Sequence, residues 1–225
     1  MPSPDDIAKT RQIIANIRLK AVPLVTYIKL FTQTPAGEAY AILDANGVPG
    51  GICCALSLHW LDARASGKDY MDTILGLGGT VKVDAIQPAI DMQKDFTNPE
   101  TQLQKAKAWL EKKGFKTAQK PMTSINMVTN GVGSWFAQSY SEGGPYRLLG
   151  TRGFNHATAL DLSNADDLAF FDPNLGSFHF NSAERLKKFL DETIFPSNKD
   201  QWGNMDCNYI GRKRVSLLEM IGCNR

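Results

Sequence analysis

A cysteine at the start of an apolar helical pattern, directly after two glycines, is the feature that most constrains this chain. It lies in the segment from Gly50 to Trp60, which reads GGICCALSLHW. The apolar residues after it recur at the spacing of one buried helix face. At the first turn of such a helix, Cys53 would lie beside unpaired backbone N–H groups and the positive end of the helix dipole, and both favour thiolate over thiol. The glycines allow a substrate backbone to come close to the sulfur. The segment therefore predicts a helix with a nucleophilic cysteine at its N-terminus.

Composition narrows the class of protein without identifying it. The 225 residues are 43% apolar and 21% charged, which is typical of a globular domain. A net charge of +2, with no basic stripe, argues against nucleic-acid binding. No apolar run reaches the roughly 18 residues of a membrane helix, and no standard signal peptide is visible. The four cysteines show no CxxC spacing. We therefore expect free thiols in a reducing compartment, and no cofactor, metal or integral membrane segment.

The first half of the chain carries mainly helical patterns. An amphipathic helix is predicted over residues 4–20, with Ser3 as its N-cap. Residues 22–30 and 37–44 each fit a short helix or a strand, and the cysteine helix is predicted over residues 53–65. Further helical patterns lie at residues 69–77, at 81–95 with a break at Pro88, and from Pro99 to Gly114, and a last helix is predicted in the second half at residues 132–140.

The second half consists of short apolar runs divided by turn residues, a pattern typical of antiparallel strands. These runs lie at residues 146–151, 156–162, 168–172 and 177–180. Asn181 and Glu184 are predicted to cap a helix over residues 182–193. Residues 207–212 and 215–220 are predicted to be closing strands.

Helices followed by strands predict an α+β fold, with the cysteine helix packed on an antiparallel sheet. We expect residues 1–40 to form an N-terminal helical extension packed on a catalytic domain of residues 41–225.

A nucleophilic cysteine needs a base, and the chain has three histidines to supply one. His59 lies six residues past Cys53 on the same predicted helix, about 240° around it, and cannot face the sulfur. His179 alternates with two phenylalanines in a predicted strand and is expected to point away from their apolar face. His156 begins the strongest predicted strand among small residues, which leave room for a helix or a substrate. His156 is therefore the predicted base.

Asp172 is the predicted partner of His156. It ends the next predicted strand, so a strand, a turn and a returning strand would bring the two residues side by side. A carboxylate there would hold the imidazole in the useful tautomer. Each of the three residues also has an ordinary structural interpretation. Cys53 could simply begin a helix, His156 could be an ordinary strand residue, and Asp172 could belong to an Asp-Pro-Asn turn. Their joint occurrence in this order favours catalysis.

The segment from Gly51 to Ser57 resembles the papain-type signature, in which Gly-x-Cys-x-Ala-aromatic-Ser opens the central helix. The longer pattern Gly-x-Cys-x-x-Leu-Ser-x-x-Trp, then His-Ala-x-Ala and Asp-Pro-Asn, is similar to the YopT/AvrPphB family of cysteine proteases. Cys54 falls on the variable position after the nucleophile. The matching motifs span roughly residues 51–176.

The resemblance implies a papain-like fold with Cys53 as nucleophile, His156 as general base and acid, and Asp172 as orienting carboxylate. Many members of this family are bacterial effectors delivered into host cells by type III secretion. The resemblance therefore implies a protein that is made in the bacterial cytoplasm and secreted without a cleavable signal peptide. Its expected partner is a host protein, which it would cleave.

The implied chemistry also needs donors for the oxyanion of the tetrahedral intermediate. These would be the Cys53 backbone N–H and an upstream amide side chain. Asn46 is the nearest such amide in sequence, and a simple role in an Asn-Gly turn is its alternative.

Two other functions stay open at this point. One is a transglutaminase- or deamidase-like enzyme that uses the same triad on Gln side chains, and the other is an inactive homologue that only binds. We expect a monomer. The substrate, the cleavage site and self-cleavage near the N-terminus are not determined by the sequence.

Overall fold

A computed structural model describes residues 2–96, 99–115, 123–125, 145–151, 156–194 and 205–210. Helices fill most of its first half. They are α1 (Pro4–Ala21), α2 (Glu38–Ala45), α3 (Cys53–Ala65), α4 (Tyr70–Ile74), α5 (Val83–Asp95) and α6 (Pro99–Lys112). A later helix, α7 (Ala183–Phe189), continues into a π-helical turn over Leu190–Ile194. The order of elements agrees with the predicted helical half followed by strands.

The described strands form one antiparallel sheet. They are β1 (Tyr27–Leu30), β2 (Thr123–Ile125), β3 (Tyr146–Thr151), β4 (Ala157–Asp161), β5 (Leu168–Asp172), β6 (Gly176–Phe180) and β7 (Met205–Ile210). Their order across the sheet is β1-β6-β5-β4-β3-β7-β2. The hairpins that join β4, β5 and β6 put consecutive strands side by side, as the short turns between them require.

The sheet lies between two apolar layers, because alternate residues of a strand point to opposite faces. In β5, Phe171 belongs to the core formed with α2–α6, whereas Phe170 belongs to the core formed with α1 and α7. Ile14 and Ile17 hold α1 on this second face. The sheet is therefore covered on both faces.

Helix α3 is the centre of the first layer. Trp60 is completely buried and stacks on Phe171, with ring centroids 5.5 Å apart. The Trp60 indole N–H donates to Ser177 Oγ over 3.3 Å. At the other end of the helix, Arg64 bonds Asp161 over 2.6 Å. The helix is buried almost all round, between the sheet and the remaining helices, so its first residue is held in a fixed place.

Several predicted boundaries are confirmed. Helix α3 has the predicted bounds, and α1 begins with the predicted cap: Ser3 Oγ accepts from the Asp6 backbone N–H. Of the two ambiguous segments, residues 22–30 contain strand β1 and residues 37–44 contain helix α2. The predictions for residues 132–140 and 215–220 lie outside the described residues.

The predicted break at Pro88 is wrong, because α5 runs through it. A proline inside a helix leaves the carbonyl four residues earlier without its usual partner. Here Pro88 and Asp84, which carries that carbonyl, are both exposed, so water can take the place of the missing N–H. Ile86 and Ile90 hold the opposite side of the helix on the core.

The predicted cap of α7 is wrong by one residue. Ser182, not Asn181, is the N-cap, and its hydroxyl accepts from the Arg185 backbone N–H over 3.3 Å. Asn and Ser are both common at the N-cap of a helix, so the sequence alone could not distinguish Asn181 from Ser182 as the cap.

Strand β1 lies inside the predicted extension of residues 1–40 and pairs with β6. The proposed boundary at residue 40 stays a prediction. Within the described part of the chain, no helix is long and apolar enough to span a membrane.

Candidate active site

Cys53 is the first residue of α3, and the backbone before it turns sharply. Gly51 has φ +94°, a conformation that other residues rarely adopt. A Cβ atom on Gly51 would also lie 3.0 Å from Gln33 Oε1. Position 51 therefore favours glycine for its conformation, and a side chain there would press on the Gln33 amide. Cys53 itself is buried, with 8% of its surface exposed.

His156 and Asp172 lie at neighbouring ends of β4 and β5. His156 immediately precedes β4, and Asp172 is the last residue of β5, its antiparallel neighbour. His156 Nε2 lies 2.8 Å from Asp172 Oδ1. The same Oδ1 accepts the Asn174 backbone N–H over 2.8 Å, so the turn after β5 fixes the carboxylate. The structure brings the predicted pair together as the hairpin argument expected.

The Asp172 contact sets the orientation of the imidazole ring. Because Nε2 faces Asp172, Nδ1 is the ring nitrogen left for the Cys53 side. Burial of His156 opposes its positive charge, but the Asp172 carboxylate and a hydrogen bond with the Cys53 side chain outweigh this and raise its pKa to about 10. An imidazole with so high a pKa keeps its proton at neutral pH and can stabilise a neighbouring thiolate.

A hydrogen bond between α3 and β4 holds the two halves of the site together. Ser57 Oγ, one turn after Cys53, donates to the Ala157 carbonyl over 3.2 Å. Ala157 is the residue after His156, and the Ser57 side chain is fully buried. The bond therefore ties the helix that carries the sulfur to the strand that carries the imidazole.

Gln33 is a site residue that the sequence argument missed. Its Oε1 accepts the Ile52 backbone N–H over 2.9 Å, and its Nε2 donates to Asn174 Oδ1 over 3.0 Å. Its backbone N–H donates to the Pro173 carbonyl over 2.9 Å. One buried side chain thus joins the segment before Cys53 to the turn after Asp172. Gln33 belongs to no motif in the sequence, and only the return of β1 to the sheet brings it here.

Asn46, the predicted oxyanion donor, lies at the C-terminal end of α2. Its Nδ2 donates to the Ile42 carbonyl over 2.9 Å, a contact that closes the last turn of that helix. One of the two amide hydrogens is therefore already bonded. A role for Asn46 at the oxyanion stays a prediction.

Cys54, the neighbour of the predicted nucleophile, is a buried thiol. Burial, with a smaller effect of Cys53, raises its pKa to about 12, and a hydrogen bond with Gln102 only partly opposes this. Cys54 therefore stays protonated at any physiological pH. Of the two adjacent cysteines, Cys53 is the one beside the imidazole.

The other two histidines are engaged elsewhere. His59 packs against Tyr70 and Trp109, with ring centroids 5.7 and 5.1 Å away. His179 lies 2.9 Å from Asp167 Oδ1 and 3.0 Å from Ser177 Oγ. It does point away from the layer of its phenylalanine neighbours, but it is fully buried. Among the residues the structure describes, no cluster of three or more metal-ligating side chains is present.

A central helix that opens with a cysteine, packed on an antiparallel sheet whose neighbouring strand ends carry a His–Asp pair, is the arrangement of the papain-like cysteine proteases. Two solved structures agree with this fold. PatoxP, a cysteine protease-like domain of the Photorhabdus asymbiotica toxin PaTox, matches with a TM-score of 0.54 at 13% identity, over 94% of this chain and 62% of that domain structure. The Pseudomonas avirulence protein AvrPphB matches with a TM-score of 0.51 at 19% identity, over 71% of this chain and 90% of that protein. The predicted fold class is therefore confirmed.

The chain belongs to the peptidase C58 family, described as Yersinia/Haemophilus virulence surface antigen, whose family model matches residues 25–206. The cysteine protease YopT of Yersinia enterocolitica is 22% identical over 192 residues, which are 75% of this chain and 57% of that protein. YopT of Yersinia pestis is 22% identical over 199 residues, or 80% of this chain and 58% of that protein. The chain thus spans a little over half the length of these curated relatives. The family resemblance inferred from the motifs is confirmed.

Proposed function

We propose that the chain is a cysteine protease that hydrolyses a peptide bond in a specific protein substrate, with Cys53, His156 and Asp172 as its catalytic residues. The observation that carries this proposal is the orientation of His156. Its Nε2 is hydrogen-bonded to Asp172 over 2.8 Å, which leaves the other ring nitrogen for the cysteine at the start of α3. The family's named cysteine proteases support the same activity.

The proposed reaction begins with attack of the Cys53 thiolate on the substrate carbonyl carbon. The C–N bond of the resulting tetrahedral intermediate then breaks, and His156 gives its Nδ1 proton to the leaving amine. A thioester remains on Cys53. Water attacks the thioester carbonyl while His156 accepts a proton from it, the C–S bond breaks, and the carboxylic acid product leaves with the Cys53 thiolate and protonated His156 restored. All of these steps use side chains of the chain itself.

The oxyanion formed in each step needs preorganised donors. The Cys53 backbone N–H, unpaired at the start of α3, is one. A second could come from an amide side chain, for which Asn46 is the sequence prediction and Gln33 is an amide that is hydrogen-bonded to the Ile52 backbone. One such donor is worth on the order of 3 kcal/mol of transition-state stabilisation.

We further propose that the protein is made in a bacterial cytoplasm and acts inside a host cell on a host protein. The support is the nature of its relatives, which include a virulence surface antigen family, an avirulence protein and a toxin domain. A monomer is sufficient for the proposed chemistry, because one chain holds all three catalytic side chains.

Alkylation by iodoacetamide at about pH 6 tests the catalytic assignment without knowledge of the substrate. An ordinary thiol, with a pKa near 8.5, reacts very slowly there. We expect fast alkylation of Cys53 in the wild type and slow alkylation in His156→Ala, with the modified residue identified by mass spectrometry. Cys207 and Cys223 serve as internal controls. Equal rates at Cys53 and these two cysteines would overturn the proposal.

Exposure of a host-cell lysate to wild type and Cys53→Ala then tests the reaction type. New protein N-termini that require Cys53 support a protease. A mass gain of about 1 Da on Gln side chains, or amine incorporation, would instead indicate the deamidase or transglutaminase chemistry that shares this triad. Labelling of Cys53 with neither product would favour a binding homologue.

A further inference from the structure

The first turn of α3 carries no acidic residue, which distinguishes it from other helices of the fold. Helices α1, α2, α4, α5 and α7 all have acids in their first turns, namely Asp5, Asp6, Glu38, Asp72, Asp84 and Glu184. Acids are favoured there because a helix begins with unpaired N–H groups and the positive end of its dipole. The N-cap of α3 is Ile52, whose side chain makes no capping hydrogen bond. The first N–H groups of α3 therefore need acceptors from elsewhere.

Two glutamines from outside the helix supply such acceptors on either side of Cys53. Gln33 Oε1 accepts the Ile52 backbone N–H over 2.9 Å. Gln93 Oε1, in the last turn of α5, accepts the Ala55 backbone N–H over 3.4 Å. Both acceptors are amide oxygens, so they cap the start of α3 without adding a negative charge.

The position of Gln93 is set by the core. Its backbone carbonyl accepts the Phe96 N–H over 2.9 Å, and Phe96 is a buried core residue. Ile86 and Ile90 hold α5 on the same core. The Gln93 side chain is half-buried, and a hydrogen bond that is partly shielded from water is stronger than an exposed one.

The surroundings of Cys53 are neutral apart from His156. Among the described residues, the titratable groups that interact with Cys53 are His156 and Cys54. Cys54 is uncharged, because burial raises its pKa to about 12. Gln102 of α6, which is 5% exposed, adds a further neutral amide through a hydrogen bond with the Cys54 side chain.

A carboxylate in place of the Gln93 amide would have two opposite effects. It could accept the same Ala55 N–H, and its charge would stabilise the start of the helix. The same charge would disfavour a thiolate on Cys53, because like charges at short range oppose ionisation. A neutral amide caps the helix and avoids this repulsion.

We propose that Gln93 is a positioning residue of the active site, which caps α3 with a neutral acceptor and so leaves the positive end of the helix to the Cys53 thiolate. This inference rests on the proposed protease function and adds to it a residue outside the catalytic triad. Gln93 acts through the first turn of α3, without contact with the substrate.

Gln93→Glu separates this electrostatic role from a merely structural one. The midpoint of urea unfolding should stay at or above that of the wild type, since the carboxylate keeps the bond to Ala55. The rate of Cys53 alkylation by iodoacetamide is measured from about pH 4 to about pH 9, a range within which paired thiols titrate. We expect the pH of the half-maximal rate to rise by roughly one unit, because the new charge disfavours the thiolate.

Gln12→Glu is the matched control. It makes the same change of charge on the exposed surface of α1, which packs on the other face of the sheet. The pH of the half-maximal rate should stay at the wild-type value. A shift of the same size in both variants would assign the effect to net charge and overturn the inference, as would an unchanged profile in Gln93→Glu.

Gln93→Met tests the hydrogen bond itself. It keeps the length of the side chain but leaves the Ala55 N–H without its acceptor, so the urea midpoint and the maximal alkylation rate should both fall. Wild-type values of both would show that this bond does not hold the first turn of α3, and would overturn the inference. If Cys53 of the wild type reacts no faster than Cys207 and Cys223, the protease function on which the inference rests is refuted instead.

Discussion

His156 Nε2 and Asp172 Oδ1 are 2.8 Å apart, and this bond joins two residues 16 positions apart in the chain. Asp172 is 2% exposed and is held by the backbone of its own turn, so the carboxylate does not adapt to the imidazole. The imidazole is instead oriented by a fixed partner. Its other nitrogen is thereby directed to the cysteine side, which is what a thiolate–imidazolium pair requires.

Removal of the negative charge on Asp172 should lower the reactivity of the Cys53 thiol. Asp172→Asn leaves a side chain of the same size but takes away the anion that holds His156 protonated and oriented. We expect the rate of Cys53 alkylation at about pH 6, and any Cys53-dependent proteolysis, to fall roughly 10²-fold or more.

Asp167→Asn is a matched control for this change, because Asp167 lies 2.9 Å from the imidazole of His179, away from Cys53. It should leave the alkylation rate of Cys53 near that of the wild type. An equal fall in the two variants would show that Asp172 acts only through general stability.

The raised pKa of His156 makes stability depend on pH in a definite direction. Its pKa is about 10 in the folded chain, above the ordinary value of 6.5. Protonation of His156 therefore contributes stability that is fully present below pH 6.5 and is lost as the pH rises toward 10. The free energy of unfolding in urea should fall over this range, by at most ~1.4 kcal/mol per pH unit from this group.

His156→Gln should flatten this part of the pH profile, because glutamine does not titrate. The comparison is made by urea unfolding at several pH values between 6.5 and 10, for wild type and variant. If the free energy of unfolding of the variant falls with pH as steeply as that of the wild type, other groups cause the pH dependence. That result would contradict the raised pKa of His156.

Gln33 should matter for both stability and reactivity. Gln33→Met keeps the length of the side chain but removes its bonds to Ile52 and Asn174, and it leaves the buried Ile52 N–H without its partner. We expect a loss of roughly 1–3 kcal/mol in urea unfolding. Alkylation of Cys53 should also slow, because the segment before the sulfur is no longer tied to the turn after Asp172.

Gln12→Met is the control for this prediction. Gln12 bonds Asn16 on the exposed surface of α1, over 3.1 Å, and its replacement should change stability by only a few tenths of a kcal/mol. A normal alkylation rate in Gln33→Met would mean that Gln33 supports the fold without positioning Cys53.

Gln33 also shows where prediction from sequence stops. The bounds of α3 and the pairing of β4 with β5 follow from local periodicity and short turns, so the sequence predicts that Cys53 begins a helix and that His156 lies beside Asp172. The bond between Gln33 and Asn174 joins residues 141 positions apart, and neither residue belongs to a helical or strand pattern that would reveal it. The prediction of Asn46 as an oxyanion donor rests on its proximity to Cys53 in the sequence. Such proximity carries no information about a long-range contact.

The error at Pro88 has a different physical origin. Propensity treats a proline as a helix breaker, but burial of the opposite side of α5 outweighs the loss of one hydrogen bond at an exposed position. The cavity beside α1 could not be predicted either. The apolar spacing of α1 indicates a packed helix, and only the tertiary structure shows that part of this helix borders a cavity that His156 also lines.

The glycine at position 51, two residues before Cys53, leads to the last prediction. Gly51→Ala adds one methyl group where φ is +94° and where the new Cβ would lie 3.0 Å from the Gln33 amide. The backbone conformation alone should cost roughly 1–2 kcal/mol. The displaced Gln33 amide should form a weaker hydrogen bond with Ile52, so alkylation of Cys53 should slow and stability in urea should fall.

Gly50→Ala is a close control, because a Cβ there meets nothing within 4 Å. If the two alanine variants have the same stability in urea and the same rate of Cys53 alkylation, the close approach of Gly51 to Gln33 does not set the position of Cys53. The position of the sulfur is then set by α3 alone.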